Sequence, residues 1–340
     1  MLAGLLAEWR IRRPDVRPVV LSADPGATRT LHGVEARPRS PRGVWNALAG
    51  ARLFISGGGS LVQDVTSARS ALYYLGTLFA ASWRGVPVAV VGQGIGPLRR
   101  PWIRRLARRA FDRAQVISVR DAGSVRVLTD LGVTRAVHRG ADLALLVSPA
   151  PAEQLAALLV GSGLDAATSL IGVAVRAWPG LLDPRTLGQA LHRFAAPRGA
   201  AIAVLVFDRI RDRPISRALA EACGGHLVEA DSPQDLLAMV GAMDLVLGVR
   251  LHALIFAASR GTPALGLSYD PKVSAFMADL GLGGLPVDTS VEALEAALAR
   301  AWEQRAELRA RLGAVVPELR RAAASGVQAA AALLGPPTAG

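Results

Sequence analysis

The residues best suited to chemistry fall into a few short clusters. Arg250 and His252 flank Leu251 in the run Gly248-Val249-Arg250-Leu251-His252, at the end of an apolar stretch at 244–248. An arginine fork holds a phosphate or carboxylate through two parallel hydrogen bonds, and a histidine can deliver a proton near neutral pH. Tyr269-Asp270-Pro271-Lys272 follows the next apolar stretch, 264–268. Lys272 is the single lysine in a chain with 39 Lys and Arg residues. An ammonium is a compact point charge and a guanidinium a planar fork, so a lysine kept under such a bias points to a role that arginine does not fill. Survival of one lysine by chance is the plain alternative.

Two glycine clusters form a second group. Gly57, Gly58 and Gly59 lie between Ser56 and Ser60, after the apolar stretch 53–55, and Gln63 follows. Three glycines let the backbone approach a ligand closely, and residues 61–64 are expected to open a helix whose amino end favours an anion. Gly92-Gln93-Gly94-Ile95-Gly96-Pro97 holds the equivalent place after 86–91, so Gln93 and Gly94 should line the same edge. Neither cluster is a dinucleotide fingerprint or a P-loop. Arg120 follows the stretch 115–119, and Arg176 and Trp178 follow 171–175. Arg120 is a further anion ligand or one half of a local pair with Asp121, and Arg176 with Trp178 is a sugar platform or ordinary surface. Glu221 and Glu229 share a spacing used by some sugar transferases, but they fall on different elements. His32, His138, His192 and His226 show no metal-ligand spacing, and the lone Cys223 excludes a disulfide framework and a cysteine zinc site. No metal or cofactor is expected.

These side chains need strands and helices to hold them at one edge. Short Val- and Ile-rich runs at 17–21, 53–56, 86–91 and 115–119 alternate with longer helical patterns, and 171–175, 201–207, 226–229, 244–248 and 264–268 repeat the scheme. Buried parallel strands with crossover helices read this way. The fold expected is α/β: two Rossmann-like, doubly wound domains facing across a cleft, with ligands at the carboxyl ends of the strands. The division expected is 1–148, a linker at 149–168, a second domain at 169–290, and a C-terminal helical segment at 291–340, broken near Pro317 and frayed over 335–340. The first element is a helix at 2–12, where such domains usually open on a strand, so a strand and loop ahead of it are expected.

The net charge of +12 favours anionic partners. The arginines are dispersed, aromatics are 5%, and no nucleic-acid recognition module is visible, so nucleic acid is not expected as a partner. Residues 99–113 form a basic amphipathic pattern, with Arg99, Arg100, Arg104, Arg105, Arg108 and Arg109 opposite Trp102, Ile103, Leu106, Ala110 and Phe111. That helix lies on an anionic membrane face or packs with a solvated arginine face. No apolar run reaches the roughly 18 residues of a membrane span, charges interrupt the first apolar stretch, and the expected location is the cytoplasm.

Taken together and in this order, the motifs resemble the polysaccharide pyruvyl transferase family, nearest to its members that pyruvylate cell-wall polysaccharide for S-layer anchoring. The carrying residues are 56–64, 92–97, 119–121, 140–142, 250–252 and 269–272. The resemblance implies a two-domain fold like that of GT-B glycosyltransferases. It implies phosphoenolpyruvate as donor and, as acceptor, a hexosamine of a precursor linked to undecaprenyl diphosphate. It also implies that Arg250, Leu251 and Lys272 bind the donor, with Arg120 or Arg99 helping, and that His252 is the general acid. The glycine clusters with Ser60, Gln63, Arg176 and Trp178 then lie on the acceptor side. The competing reading is a GT-B glycosyltransferase that uses a nucleotide sugar.

Overall fold

The computed structural model describes residues 1–65 and 67–336; the tail expected to fray over 335–340 lies outside the described residues from 337 onward. The chain divides into two compact units, 1–147 with 319–340, and 148–318.

In the first unit, α1 (Leu2–Arg12), β1 (Val19–Ser22), α2 (Pro25–His32), β2 (Glu35–Pro38) and α3 (Pro41–Leu48) precede β3 (Phe54–Ser56), β4 (Gly59–Val62) and α4 (Ala68–Trp83). They are followed by β5 (Val88–Ile95), α5 (Pro101–Phe111), β6 (Val116–Val119), α6 (Ala122–Asp130) and β7 (His138–Arg139). All strand pairs are parallel. Among the described residues β1 pairs only with β2, while β3, β5, β6 and β7 form a second sheet in that order, to which β4 adds on β5. Central β5 is buried along its whole length, as expected for a strand with helices on both faces.

The second unit holds α7 (Ala152–Gly161), β8 (Leu170–Ala174), α8 (Pro184–Ala195), β9 (Ala201–Leu205), α9 (Arg213–Cys223), β10 (His226–Val228) and α10 (Pro233–Gly241). Next come β11 (Leu245–Gly248), α11 (Leu251–Arg260), β12 (Ala264–Ser268), α12 (Pro271–Asp279), β13 (Gly284–Pro286) and α13 (Val291–Glu303). The last helix, α14 (Arg305–Ala332), runs past the unit boundary at Glu318. The six strands lie in the order β10-β9-β8-β11-β12-β13, all parallel, over a core that includes Ile171, Val173, Leu191, Leu247 and Leu298.

Several expectations are corrected. Residues 61–64 do not open a helix: β4 runs to Val62, and α4 begins only at Ala68, where the Ser67 hydroxyl accepts from the Ser70 N–H at 3.3 Å. Gly92-Gln93-Gly94-Ile95 is no loop either, because the β5 ladder continues through it to β4 and β6. The segment drawn as a linker contains α7, which packs on α10 inside the second unit. The C-terminal helical segment breaks at Gln304 and not near Pro317, which α14 passes through. Proline removes one intrahelical bond, but the buried Leu312, Val316, Ala323 and Val327 on either side keep the helix against its support. On α5 the apolar face is Ile103, Ala107, Ala110 and Phe111, whereas Trp102 is 48% exposed.

Candidate functional site

In the second unit the chemistry gathers at the carboxyl ends of β8, β11 and β12, three adjacent strands. Gly248 pairs with Gly266 on β12 and with Ala174 on β8, so the three loops leave the sheet side by side. Arg250 caps the amino end of α11, which places Leu251 and His252, both half-buried, in its first turn. Asp270 caps α12, its carboxylate accepting from the Lys272 N–H at 2.9 Å, and half-buried Lys272 stands in that first turn. Two helix amino ends, an arginine, a histidine and the lysine therefore share one edge, an environment that favours an anion.

The Arg250 guanidinium is held from below. Nη2 donates to buried Asp212, whose side chain is 1% exposed, and lies 3.8 Å from Asp208. Both carboxylates follow β9. Nε of Arg250 and Oδ2 of Asp212 are buried with no hydrogen-bond partner among the described residues. The arginine is thus oriented by carboxylates while part of its fork retains donor capacity. Nothing in the spacing of Asp208 and Asp212 marked them in the sequence.

Arg176 and Trp178, which follow β8, come together with Tyr269, which follows β12. Arg176 Nη1 donates to the Tyr269 hydroxyl at 2.7 Å, and its guanidinium lies 5.0 Å from the Tyr269 ring and 5.3 Å from that of Trp178. The two rings are 4.3 Å apart, and Trp178 is 40% exposed. This cation-bridged aromatic pair reaches across the end of β11, beside the loop carrying Arg250. An exposed ring with fixed hydrogen-bond donors beside it suits the apolar face and hydroxyls of a sugar. The role of Tyr269 in fixing Arg176 was not legible in the sequence.

The first unit brings its own set together. Gln93 is fully buried on β5, and its Nε2 donates to the Ser56 hydroxyl at 3.2 Å. Gly94 gives Arg120 room: a Cβ there would lie 2.8 Å from the Arg120 Nη2. All three side-chain nitrogens of Arg120 donate, Nη1 to Asp142 at 3.1 Å, Nε to Asp121 at 3.2 Å and Nη2 to the Ser60 hydroxyl at 3.1 Å. Burial alone would raise the Asp121 carboxyl; hydrogen bonds from the Ser124 hydroxyl and N–H, together with Arg120, outweigh it and hold the group below the usual carboxylate range. Gly57 and Gly58 lie against Leu5 and Met1 of the α1 region, Gly59 pairs with Gln93, and Gln63 accepts from the Val65 N–H at 2.9 Å. Asp64, buried beyond β4, accepts from the N–H groups of Arg99 and Arg100, each at 2.8 Å. The glycine clusters thus form a strand pair organised by Gln93 and Arg120. Among the described residues there is no group of His, Cys, Asp or Glu able to hold a metal ion, and no helix long and apolar enough to cross a membrane.

Two parallel α/β units of this kind place the chain in the GT-B class of fold. Solved structures agree: a putative UDP-N-acetylglucosamine 2-epimerase from Listeria monocytogenes aligns with a TM-score of 0.64 at 14% identity, covering 95% of this chain and 90% of that one. The UDP-GlcNAc 2-epimerase of Neisseria meningitidis gives 0.61 at 13%, covering 96% and 95%, and Anabaena HepE in complex with UDP gives 0.59 at 15%, covering 96% and 93%. The family model for polysaccharide pyruvyl transferase matches residues 1–271, and the chain belongs to that family. A curated relative, the amylovoran biosynthesis protein AmsJ of Erwinia amylovora, is 24% identical over 230 residues, 59% of this chain. The chain spans about half the length of that relative, 54%.

Proposed function

We propose that the protein transfers pyruvate from phosphoenolpyruvate to a hexosamine of a lipid-linked cell-wall polysaccharide precursor, forming a cyclic ketal and releasing phosphate. Family membership supports a pyruvyl transferase acting on polysaccharide. The observation that carries the finer reading is the convergence of Arg250, His252 and the sole lysine, Lys272, on paired strand ends at two helix amino termini. Phosphoenolpyruvate is small and strongly anionic, and this edge offers cations and backbone N–H groups matched to a phosphate and a carboxylate. In this reading Arg250, Leu251 and Lys272 hold the donor. His252 delivers a proton to C3 of the enol, and C2 becomes oxocarbenium-like. One sugar hydroxyl adds to C2, its proton returning to His252; a second hydroxyl then displaces phosphate, its proton leaving with the phosphate, and the ketal closes. The Trp178–Tyr269 pair with Arg176 is the sugar platform. For Arg120 the condition is stricter, since a donor anion would compete for it with Asp121 and Asp142. A cytoplasmic protein acting on an undecaprenyl-linked acceptor would meet the membrane through α5, where exposed Trp102 stands among exposed Arg105, Arg108 and Arg109.

The test is incubation with phosphoenolpyruvate and an amino-sugar diphosphate-lipid analogue, following phosphate release and product mass. Product carrying a pyruvate ketal, lost in His252→Ala while the fold persists, is the expected result. Thermal stabilisation by UDP-sugars but not by phosphoenolpyruvate, with no phosphate released, would overturn it in favour of a nucleotide-sugar glycosyltransferase.

A further inference from the structure

One stretch of the first unit holds almost all of the chain's net charge. Residues 36–111 carry twelve arginines and a single acid, a net +11 out of the chain's +12. That acid, Asp64, is buried and engaged by the N–H groups of Arg99 and Arg100. Asp112, the next acid along the chain, accepts from the Thr134 N–H at 2.7 Å and lies 3.7 Å from Arg108. The helices of this stretch are α3, α4 and α5, and α4 packs against the other two. Arg42, Arg69, Arg84, Arg105 and Arg109 are exposed on or beside them, and none of the three helices contains an acidic residue.

Within this basic setting α4 has an apolar outer stripe, where a surface helix ordinarily turns polar side chains outward. Residues 70–83 contain no charged side chain. Ala71, Leu75, Leu78 and Ala81 are buried in the core of the unit. Leu72, Phe79, Ala80 and Trp83 fall on another face at helical spacing, Phe79 and Ala80 half-buried, Leu72 exposed and Trp83 70% exposed. At the carboxyl end the stripe widens into rings: Trp83 stacks on Phe79 at 5.7 Å, and the Arg113 guanidinium lies 5.5 Å from the Phe79 ring. Arg84 lies 4.5 Å from the ring of Trp45, which is exposed on α3. On α5 the residues Ile103, Ala107, Ala110 and Phe111 are buried, so that helix offers arginines and Trp102 but no apolar stripe. An apolar stripe ending in aromatic rings, with arginines around it, matches the headgroup layer of an anionic bilayer. There aliphatic and aromatic side chains enter the acyl boundary while guanidinium groups meet the headgroups. A second copy of this chain is a poor occupant, because the same basic face would meet itself.

We propose that α4 is an interfacial helix, with Leu72 and Trp83 seated in the acyl boundary of an anionic bilayer and the arginines of α3 and α5 on the headgroups at its flanks. No helix among the described residues is long and apolar enough to cross a bilayer, so α4 lies in the plane of the interface. The inference rests on the reading of a lipid-linked acceptor and deepens it: the apolar contact belongs to α4, and the part played by α5 is electrostatic.

The experiment is sedimentation of the full chain with phosphatidylglycerol vesicles, without either substrate. Leu72→Gln combined with Trp83→Gln keeps every charge and changes two exposed side chains, so melting should be unchanged while vesicle affinity falls at least tenfold. Ile210→Gln, which alters an exposed apolar side chain of the second unit, should bind as wild type does. Phosphatidylglycerol brominated near the top of its acyl chains should quench the tryptophan fluorescence of wild type, and Trp83→Phe should bind as before yet lose most of that quenching. Wild type that ignores the vesicles would overturn the proposal and leave an acidic protein as the occupant of this face. Binding that survives the double substitution and vanishes in high salt would also overturn it, as a purely electrostatic contact. Phosphate release from phosphoenolpyruvate with a water-soluble acceptor lacking the lipid separates the two readings. Vesicle binding that depends on Leu72 and Trp83 supports the interfacial helix even if no phosphate is released, whereas turnover without vesicle binding keeps the reaction and removes the helix.

Discussion

Asp212→Asn isolates the forces that hold Arg250 in place. Asp212 is 1% exposed and pairs with Arg250 Nη2; Arg250 is 17% exposed, and Asp208 at 3.8 Å is a weaker second partner. Removing one partner of a buried ion pair typically costs about 3–5 kcal/mol, because the other charge stays buried and uncompensated. Residual exposure of Arg250 and the presence of Asp208 place the expected loss near the lower end, about 3 kcal/mol. For a unit spanning 148–318 that corresponds to a melting-temperature fall of roughly 6–12 °C. Arg250→Met should cost a similar amount by stranding Asp212. The double variant Arg250→Met/Asp212→Leu should recover most of the loss, since an apolar pair of similar volume has no desolvation penalty. Calorimetric unfolding of wild type, Asp212→Leu, Arg250→Met and the double variant closes a double-mutant cycle, with an expected coupling of about 2 kcal/mol or more. Additive losses, or a loss in Asp212→Asn below about 0.5 kcal/mol, would refute the claim that Asp212 fixes the arginine. Donor binding separates the roles further: the double variant should be stable yet fail to bind phosphoenolpyruvate.

Three other outcomes are expected. Lys272→Arg keeps the charge but replaces a point with a fork, so steady-state kinetics should show KM for the donor rising at least tenfold with melting unchanged; an unchanged KM would return Lys272 to the surface. Burial would raise the Asp64 carboxyl, but the N–H groups of Arg99 and Arg100 and the Arg100 charge prevail and lower it from 3.8. Its contribution to stability is therefore complete above the unfolded value and is lost as pH falls through the lower folded value, so urea unfolding of wild type and Asp64→Asn should converge in strong acid and differ at neutral pH by about 1–3 kcal/mol. Arg105→Glu combined with Arg109→Glu should weaken sedimentation with anionic lipid vesicles several-fold and leave binding to neutral vesicles as it was, while equal binding to both would remove α5 from any membrane role.

Runs of apolar residues broken by helical periodicity determined the parallel α/β character, and α1 and β12 occupy the expected residues, α1 ending just before Pro14 and β12 running between Pro263 and Asp270-Pro271. Arg250, His252 and Lys272 were legible because a strand end followed at once by a helix start has only one edge to occupy. What the sequence left open depends on partners distant along the chain. Asp212 holds Arg250, and Tyr269 holds Arg176, through contacts 38 and 93 residues apart that no local spacing encodes. The continuation of β5 through Gly92 to Ile95 was hidden because glycine signals a turn locally, whereas here its missing side chain admits Leu143 and Arg120 against a strand.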